Sequence, residues 1–89
     1  MKIHVCLMTQ NELNDVIANV TVMLPWVDTV TVVDGGSSDQ TILYMRNWAR
    51  AEPKLHFCLH QWVDNYKLQR NFTVKEGLKL ATPGDWLLI

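Results

Sequence analysis

The sequence predicts an α/β protein with an open, mostly parallel four-stranded sheet in the order 3-2-1-4 and helices on both faces. Short runs rich in β-branched residues alternate with segments whose apolar residues recur every three or four positions, giving the order β-α-β-α-β-α-β. This alternation requires right-handed crossovers and therefore a parallel sheet. With 89 residues, 48% hydrophobic and 19% charged, the chain has the length and composition of one small globular domain.

The first two strands and the helix between them follow from the spacing of apolar residues. Residues 2–8 are apolar on both faces, as a central parallel strand between two helical layers should be. Residues 29–34 form a second, β-branched run that ends at a pair of glycines. A helix is expected from about Glu12 to Leu24, because Pro25 forbids its continuation. Its expected buried stripe comprises Leu13, Val16, Ile17, Val20, Met23 and Leu24.

A second helix and a third strand come next. Ser37 or Ser38 is expected to cap this helix, which should end near Glu52. Residues 54–59 alternate between apolar and other side chains, which predicts a strand with one less covered face, nearer the sheet edge. The expected buried stripe of the second helix is Ile42, Met45, Trp48 and Ala49.

The third helix leads into the fourth strand. Asp64 or Asn65 is expected to cap the helix, and the Thr-Pro-Gly sequence at 82–84 to end it. Gly77 inside this helix predicts a close packing contact, because glycine there costs about 1 kcal/mol relative to alanine. Asp85 should begin the fourth strand at the end away from the polar loops. The expected apolar members of the helix are Leu68, Phe72, Val74, Leu78 and Ala81.

Polar loops follow the first two strands, at residues 9–12 and 34–39. The carboxyl ends of parallel strands meet at one edge of the sheet, so both loops can act on one ligand. An acidic residue there can accept hydrogen bonds from a ribose hydroxyl or a base N–H, although Asp-Gly-Gly is equally an ordinary turn. Lys67 and Arg70, early in the third helix, would meet an anion, or else form a solvated basic edge.

Several classes of protein are disfavoured. The Gly-x-Gly-x-x-Gly of dinucleotide-binding domains is missing after the first strand, and no phosphate-binding loop motif occurs. A net charge of -1 without runs of Lys or Arg predicts no nucleic-acid partner. No apolar run approaches the roughly 20 residues of a membrane span, so no membrane segment is expected and a cytoplasmic protein is the simplest interpretation.

Four motifs, in family order, resemble those of family 2 glycosyltransferases with the GT-A fold. Residues 32–41 read V-V-D-G-G-S-S-D-Q-T and resemble the V-V-D-x-G-S-x-D-x-T of that family. The others are T-Q-N-E at 9–12, Q-R-N-F at 69–72, and G-D-W at 84–86, which resembles the sequence leading to the family's metal-binding Asp-x-Asp. With W-V-D at 26–28, the chain is most similar to enzymes that add sugars to lipopolysaccharide core or similar surface glycans.

The resemblance implies a nucleotide-diphospho-sugar donor and places five residues at its binding site. Thr9 and Glu12 would line the nucleotide pocket. Asp34 would bind the base or ribose, where Gly35 lets a ligand approach the backbone. Arg70 would reach the nucleotide side of the donor.

The resemblance also implies a divalent metal, Mn or Mg, in the complete enzyme. The Asp-x-Asp that would hold this metal should follow Ile89, and the general base for the acceptor should lie further on. No catalytic residue and no metal ligand are therefore assigned within the chain. We expect residues 1–89 to be the nucleotide-sugar-binding subdomain of a GT-A enzyme, truncated before the Asp-x-Asp and with little or no transferase activity alone.

The alternative is a non-catalytic interaction module built on the same scaffold. Residues 85–89 would form an apolar edge strand, and such edges commonly recruit another chain. Self-association through this strand is the corresponding expectation. The donor base, the sugar and the acceptor are left open by the sequence.

Overall fold

A computed structural model describes residues 1–62 and 64–89 of the chain. The elements follow the predicted order, and the strands begin and end within about two residues of the predicted positions. They are β1 (Ile3–Thr9), α1 (Leu13–Met23), β2 (Thr29–Asp34), α2 (Thr41–Ala51), β3 (Leu55–Leu59), α3 (Tyr66–Leu78) and β4 (Trp86–Leu88), with a short 3₁₀ helix at Leu24–Trp26. Within this part of the chain, no helix combines the length and the hydrophobicity needed to cross a bilayer.

The four strands form one parallel sheet in the order β3-β2-β1-β4, which confirms the predicted topology. β3 is an edge strand, as its alternating sequence indicates. Thr9, Asp34 and Leu59 lie side by side at the carboxyl end of the sheet, because Thr9 pairs with Asp34 and Asp34 with Leu59. β4 pairs with β1 only over Ile3–Val5.

One face of the sheet packs against α1 and α2 and holds the main hydrophobic core. Val16 and Val20 of α1 and Met45 of α2 are buried, which confirms the predicted stripes of these helices. Burying side chains of this size stabilises the fold by about 1.5–3 kcal/mol each. The core cluster comprises Val5, Val16, Val20, Val30, Val32, Met45 and Leu55.

The other face packs against α3, and here the predicted helix face is wrong. Leu68 and Leu78 are 52% and 55% exposed, whereas Gln69, Thr73 and Gly77 are buried. The helix lies close to the sheet, because a side chain at Gly77 would collide with the Sγ of Cys6 on β1. The predicted close contact at Gly77 is thus confirmed. On the buried face of α3, small and polar residues stand where an apolar stripe was expected, because they let the helix come close to the sheet.

The caps also differ in part from expectation. Asn65 caps α3 by accepting a hydrogen bond from the Leu68 N–H, as predicted. α2 begins later than expected, at Thr41, and neither Ser37 nor Ser38 caps it. The Ser37 hydroxyl instead donates to Asp34, so it is already used within the preceding loop.

The amino ends of the strands are tied together by Asp85, at the opposite end of the sheet from the polar loops. Its carboxylate accepts hydrogen bonds from the backbone N–H groups of Lys2 and Thr82, both at 3.0 Å, and from His4 Nε2 at 2.9 Å. The His4 Nδ1 in turn lies 2.7 Å from the Thr29 hydroxyl. The Thr82 backbone N–H, the His4 imidazole and the Lys2 backbone N–H together hold the pKa of Asp85 well below its usual range.

Candidate functional site

A cleft of about 220 Å³ opens at the carboxyl end of β1, between the starts of α1 and α3. We call it the edge cleft. In an open α/β sheet, this is the edge at which ligands bind. Its walls are formed by Met8, Thr9, Gln10, Glu12, Gly35, Trp62, Tyr66 and Gln69.

The segment after β3 forms one wall by following the neighbouring loop. The His60 N–H donates to the Asp34 carbonyl at 2.9 Å, and the Trp62 N–H donates to the Gly35 carbonyl at 2.8 Å. These two bonds fix Trp62 against the end of β2. Tyr66 follows in the first turn of α3, so two aromatic side chains border the edge cleft. Within the described residues, neither ring pairs with another aromatic ring.

Thr9 is the buried polar group of this cleft. The residue is only 7% exposed, and its hydroxyl has no hydrogen-bond partner among the described residues. A buried hydroxyl left without a partner costs about 1–3 kcal/mol. The Thr31 hydroxyl on β2, which does not line the cleft, is unpaired in the same way, so this feature does not by itself mark a ligand site.

The Asp34 carboxylate is directed into its own loop. Its Oδ1 accepts hydrogen bonds from the N–H groups of Gly36 and Ser37, both at 2.7 Å, and its Oδ2 accepts one from the Ser37 hydroxyl at 2.6 Å. Asp34 is fully buried and does not line the edge cleft. A direct contact with a base or ribose would require these bonds to be exchanged, whereas in this structure Asp34 shapes the loop.

Asn11 joins the two polar loops. Its Oδ1 accepts hydrogen bonds from the Ser38 N–H at 2.7 Å and the Asp39 N–H at 3.3 Å, and its own N–H donates to the Ser37 hydroxyl at 2.9 Å. Its φ of 54° lies in the left-handed region, which asparagine tolerates better than most residues. Asn11 therefore positions the loop after β2 against the loop after β1.

Gly35 forms the floor of the cleft. Its N–H donates to the Thr9 carbonyl at 2.9 Å. A Cβ at this position would lie 3.2 Å from Gln10 Oε1 and 3.4 Å from the Cβ of Trp62, so a side chain would intrude between two cleft walls. The residue has no positive φ, and the requirement for glycine is therefore one of space rather than backbone strain.

Gln69 is the second buried polar side chain of the cleft and is only 2% exposed. Its Nε2 donates to the His60 carbonyl at 2.9 Å, and its Oε1 lies 2.7 Å from His60 Nδ1. The His60 ring stacks on Phe72 one turn along α3, with ring centroids 3.8 Å apart. Gln69 and Phe72 thus fasten the start of α3 to the segment after β3.

The structure brings three of the five predicted site residues together. Thr9, Glu12 and Gly35 line the edge cleft, and Glu12 is exposed with no ion-pair partner among the described residues. Asp34 lies behind Gly35, and Arg70 is exposed on α3 next to Gln69, outside the cleft wall.

The cleft does not provide a cation site. Glu12 is its one carboxylate within residues 1–62 and 64–89, and the same residues hold no cluster of three His, Cys, Asp or Glu suited to a metal ion. Asp85 is bonded at the far end of the sheet. The described residues therefore do not fit a divalent metal, and we derive no step through one.

Comparisons with known proteins leave the family of the chain open. No protein-family model matches the sequence, and no curated protein matches it.

Trp62, Tyr66, Gln69 and Asn11 were not identified as site residues from the sequence. Trp62 lies before α3, and Tyr66 is the first residue of this helix. At such positions the spacing of apolar residues does not show which way a side chain points. Gln69 could have been found from its spacing, because Gln69, Thr73 and Gly77 recur every four residues on one helix face. Asn11, after a strand and before a helix, is typical of a left-handed loop residue.

Proposed function

We propose that this chain recognises the nucleotide of a nucleotide-diphospho-sugar donor, as the donor-binding part of a family 2 type glycosyltransferase. The complete enzyme would transfer the sugar to a glycan or another acceptor. The observation that carries the proposal is the edge cleft itself, which Thr9 and Gly35 line at the carboxyl end of the sheet and which Trp62 and Tyr66 border. A nucleobase fits such a site, because it offers hydrogen-bonding edges and a flat ring that stacks on aromatic side chains.

The position of the cleft supports the same proposal. In the order 3-2-1-4, successive connections run one way from β1 to β3 and then return to β4 on the other side of β1. The chain direction therefore reverses at β1, and nucleotides in open α/β sheets bind outside the carboxyl ends of strands at such a reversal. Met8 and Thr9 of β1 line the edge cleft at this point.

The charges near the cleft suit a diphosphate. Lys67 and Arg70 are exposed in the first turns of α3, and neither forms an ion pair within the described residues. The amino end of a 13-residue helix adds unpaired N–H groups and a partial positive charge. A diphosphate leaving the cleft along α3 would meet both cations.

The chemical step would need groups that we do not assign to this chain. Transfer requires a base that deprotonates the acceptor hydroxyl and a positive group that stabilises the departing diphosphate. Thr9, Gly35, Trp62 and Tyr66 bind and orient the nucleotide, so residues 1–89 alone should bind the donor weakly and transfer little or no sugar.

A titration of the 89-residue chain with UDP-glucose and GDP-mannose, followed by amide NMR, tests the proposal. We expect millimolar binding, with the largest shifts at Thr9, Gly35 and Gln69. The matched variant is Thr9→Val, which removes the unpaired hydroxyl and keeps the shape of the side chain. It should bind several-fold more weakly while its melting temperature stays equal or rises, since no protein hydrogen bond is lost. Unchanged amide signals at millimolar concentrations of both sugars would refute donor recognition.

The second candidate function is an interaction module that self-associates through β4. Trp86 and Leu88 are 59% and 49% exposed on an edge strand without a charged residue or proline, and Ile89, directly after it, is 56% exposed. Such an edge is a template for pairing with another chain. Sedimentation at high protein concentration would then show dimers, and Leu88→Lys should abolish them. A monomer under these conditions would eliminate this candidate.

A further inference from the structure

We propose that Glu12 holds the ribose of the bound nucleotide, with its carboxylate accepting hydrogen bonds from the 2′- and 3′-hydroxyls. This inference rests on the proposed recognition of a nucleotide and names the group that binds the ribose at the same site. It gives to Glu12 a contact that the family resemblance implied for Asp34.

Glu12 supplies the accessible carboxylate of the edge cleft. The residue lines the cleft directly before α1, and its side chain is exposed. Within the described residues it forms no ion pair, and it makes no side-chain hydrogen bond that caps α1. A ligand can therefore bind this carboxylate without displacing a capping bond or an ion pair of the protein.

Asp34, by contrast, uses both carboxylate oxygens within its own loop. Oδ1 accepts from the N–H groups of Gly36 and Ser37, and Oδ2 accepts from the Ser37 hydroxyl. The residue is fully buried and does not line the edge cleft. A ribose bound to Asp34 would leave loop donors without an acceptor, and this penalty does not arise at Glu12.

The ribose diol is the part of a nucleotide that suits this carboxylate. An ionised carboxylate only accepts hydrogen bonds and offers two oxygens, and the diol offers two adjacent O–H donors. Phosphate oxygens carry negative charge, so Glu12 repels them. Acidic side chains near the carboxyl ends of parallel strands bind ribose hydroxyls in the same way in dinucleotide-binding folds.

The other groups around the cleft suit the remaining parts of the nucleotide. Trp62 and Tyr66 border the cleft on the side of α3, where a base can stack on an aromatic ring. Lys67 and Arg70 are exposed in the first turns of α3 and attract the diphosphate. Glu12, on the side of α1, is left for the ribose, which joins the base to the diphosphate.

The test compares UDP with 2′-deoxyuridine diphosphate, which lacks one hydroxyl and keeps the base and both phosphates. Dissociation constants for the 89-residue chain are measured by amide NMR titration. We expect UDP to bind about tenfold more tightly, as for the loss of one hydrogen bond to a charged group. The ratio of the two constants is the readout, because the charge of the diphosphate affects both ligands equally.

Two substitutions of Glu12 should change this ratio. Glu12→Ala removes the acceptor, so the two ligands should then bind within about twofold of each other. Glu12→Gln keeps an acceptor oxygen without the charge and should give an intermediate ratio. The matched control is Asp15→Ala, which removes an exposed carboxylate from the first turn of α1, outside the edge cleft, and should keep the tenfold ratio. Thermal melting checks that all three variants fold.

The outcomes separate this inference from the proposed function. If neither diphosphate binds at millimolar concentrations, nucleotide recognition itself is refuted. Equal binding of both ligands by the wild-type chain would overturn the role of Glu12 and leave nucleotide recognition intact. A tenfold ratio that persists in the folded Glu12→Ala variant would overturn it as well, and if both ligands were weakened equally there, the carboxylate would contact the base instead.

Discussion

Replacing Gly77 with alanine should destabilise the protein, although alanine is the better helix former. The added Cβ would collide with the Cys6 Sγ and lie 3.0 Å from Leu87 Cδ1. Cys6 is 1% exposed beneath α3, so its sulfur cannot move out into solvent to avoid the added methyl group. Overpacking of this kind costs about 1–3 kcal/mol, and the closeness of the collision places it near the upper end. The alanine returns about 1 kcal/mol of helix propensity, so we expect a net loss of about 2 kcal/mol.

This loss should lower the melting temperature by about 8–16 °C for a domain of this size. Circular dichroism with thermal and urea melts measures it. The control is Lys75→Ala, at an exposed position of the same helix, which should change the stability by less than about 0.5 kcal/mol.

A double-mutant cycle with Cys6→Ala tests the cause. Removing the sulfur makes room for the new methyl group, so the double variant should recover most of the lost stability. A coupling of at least about 1 kcal/mol is expected for two residues in direct contact. If Gly77→Ala raises the stability, or the two effects simply add, the close packing of α3 on β1 is refuted.

Three further predictions concern the loops and the amino ends of the strands. Asn11→Ala removes the side-chain hydrogen bonds that join the two polar loops, while the backbone bond to Ser37 remains, and should cost about 1–2 kcal/mol, measured by urea denaturation. Gly35→Ala intrudes into the edge cleft and should weaken nucleotide binding about tenfold in the NMR titration, with a stability change of less than about 1 kcal/mol. The pKa of Asp85 is lower in the folded protein than in the unfolded chain, so its contribution to stability is present above about pH 4 and is lost as the pH falls further. Asp85→Asn should therefore flatten the loss of stability below pH 4 in urea melts.

Matched variants sharpen these three tests. Asn11→Asp retains an acceptor oxygen and should lose less stability than Asn11→Ala; equal losses would contradict the joining role. For Gly35, unchanged affinity would show that the floor of the cleft does not meet the ligand. Asp15→Asn removes an exposed carboxylate without a hydrogen bond in the described part of the chain. If Asp15→Asn reduces the loss of stability below pH 4 as strongly as Asp85→Asn does, the change in net charge is the cause and the hydrogen bonds of Asp85 are not.

The order of elements and the sheet topology could be predicted because each depends on local pattern. β1 and β2 are continuous apolar runs, and a parallel sheet with right-handed crossovers leaves few arrangements. α1 and α2 face the sheet through apolar stripes that the 3.6-residue period reveals.

The buried face of α3 could not be predicted from hydrophobicity, because this helix packs through the close approach of its backbone to the sheet and not through an apolar stripe. Gly77 and Cys6 bring its backbone near β1, and the helix then buries Gln69 and Thr73, whose polar atoms are satisfied locally. A pattern that scores apolar residues assigns Leu68 to the interior instead, where the structure has it exposed.

The candidate site was predicted in position but only partly in detail. Parallel strands fix which loops meet, so Thr9 and Gly35 were found at one edge. The direction of the Asp34 carboxylate depends on the conformation of its six-residue loop and on the hydrogen bonds that Asn11 of the neighbouring loop makes to it. A sequence motif specifies neither. A residue in a motif can thus arrange a site without facing it.

The thiol of Cys6 can report on the motion of α3. It lies under Gly77 at 1% exposure, and burial raises its pKa, so an alkylating reagent must wait until the helix lifts from the sheet. Cys58 on β3 is half-buried beside Glu76 of the same helix, and burial and this carboxylate raise its pKa too, so a free cysteine peptide is the reference for the reagent. The ratio of the Cys6 labelling rates with and without a nucleotide would measure how strongly an occupied site holds the helix on the sheet.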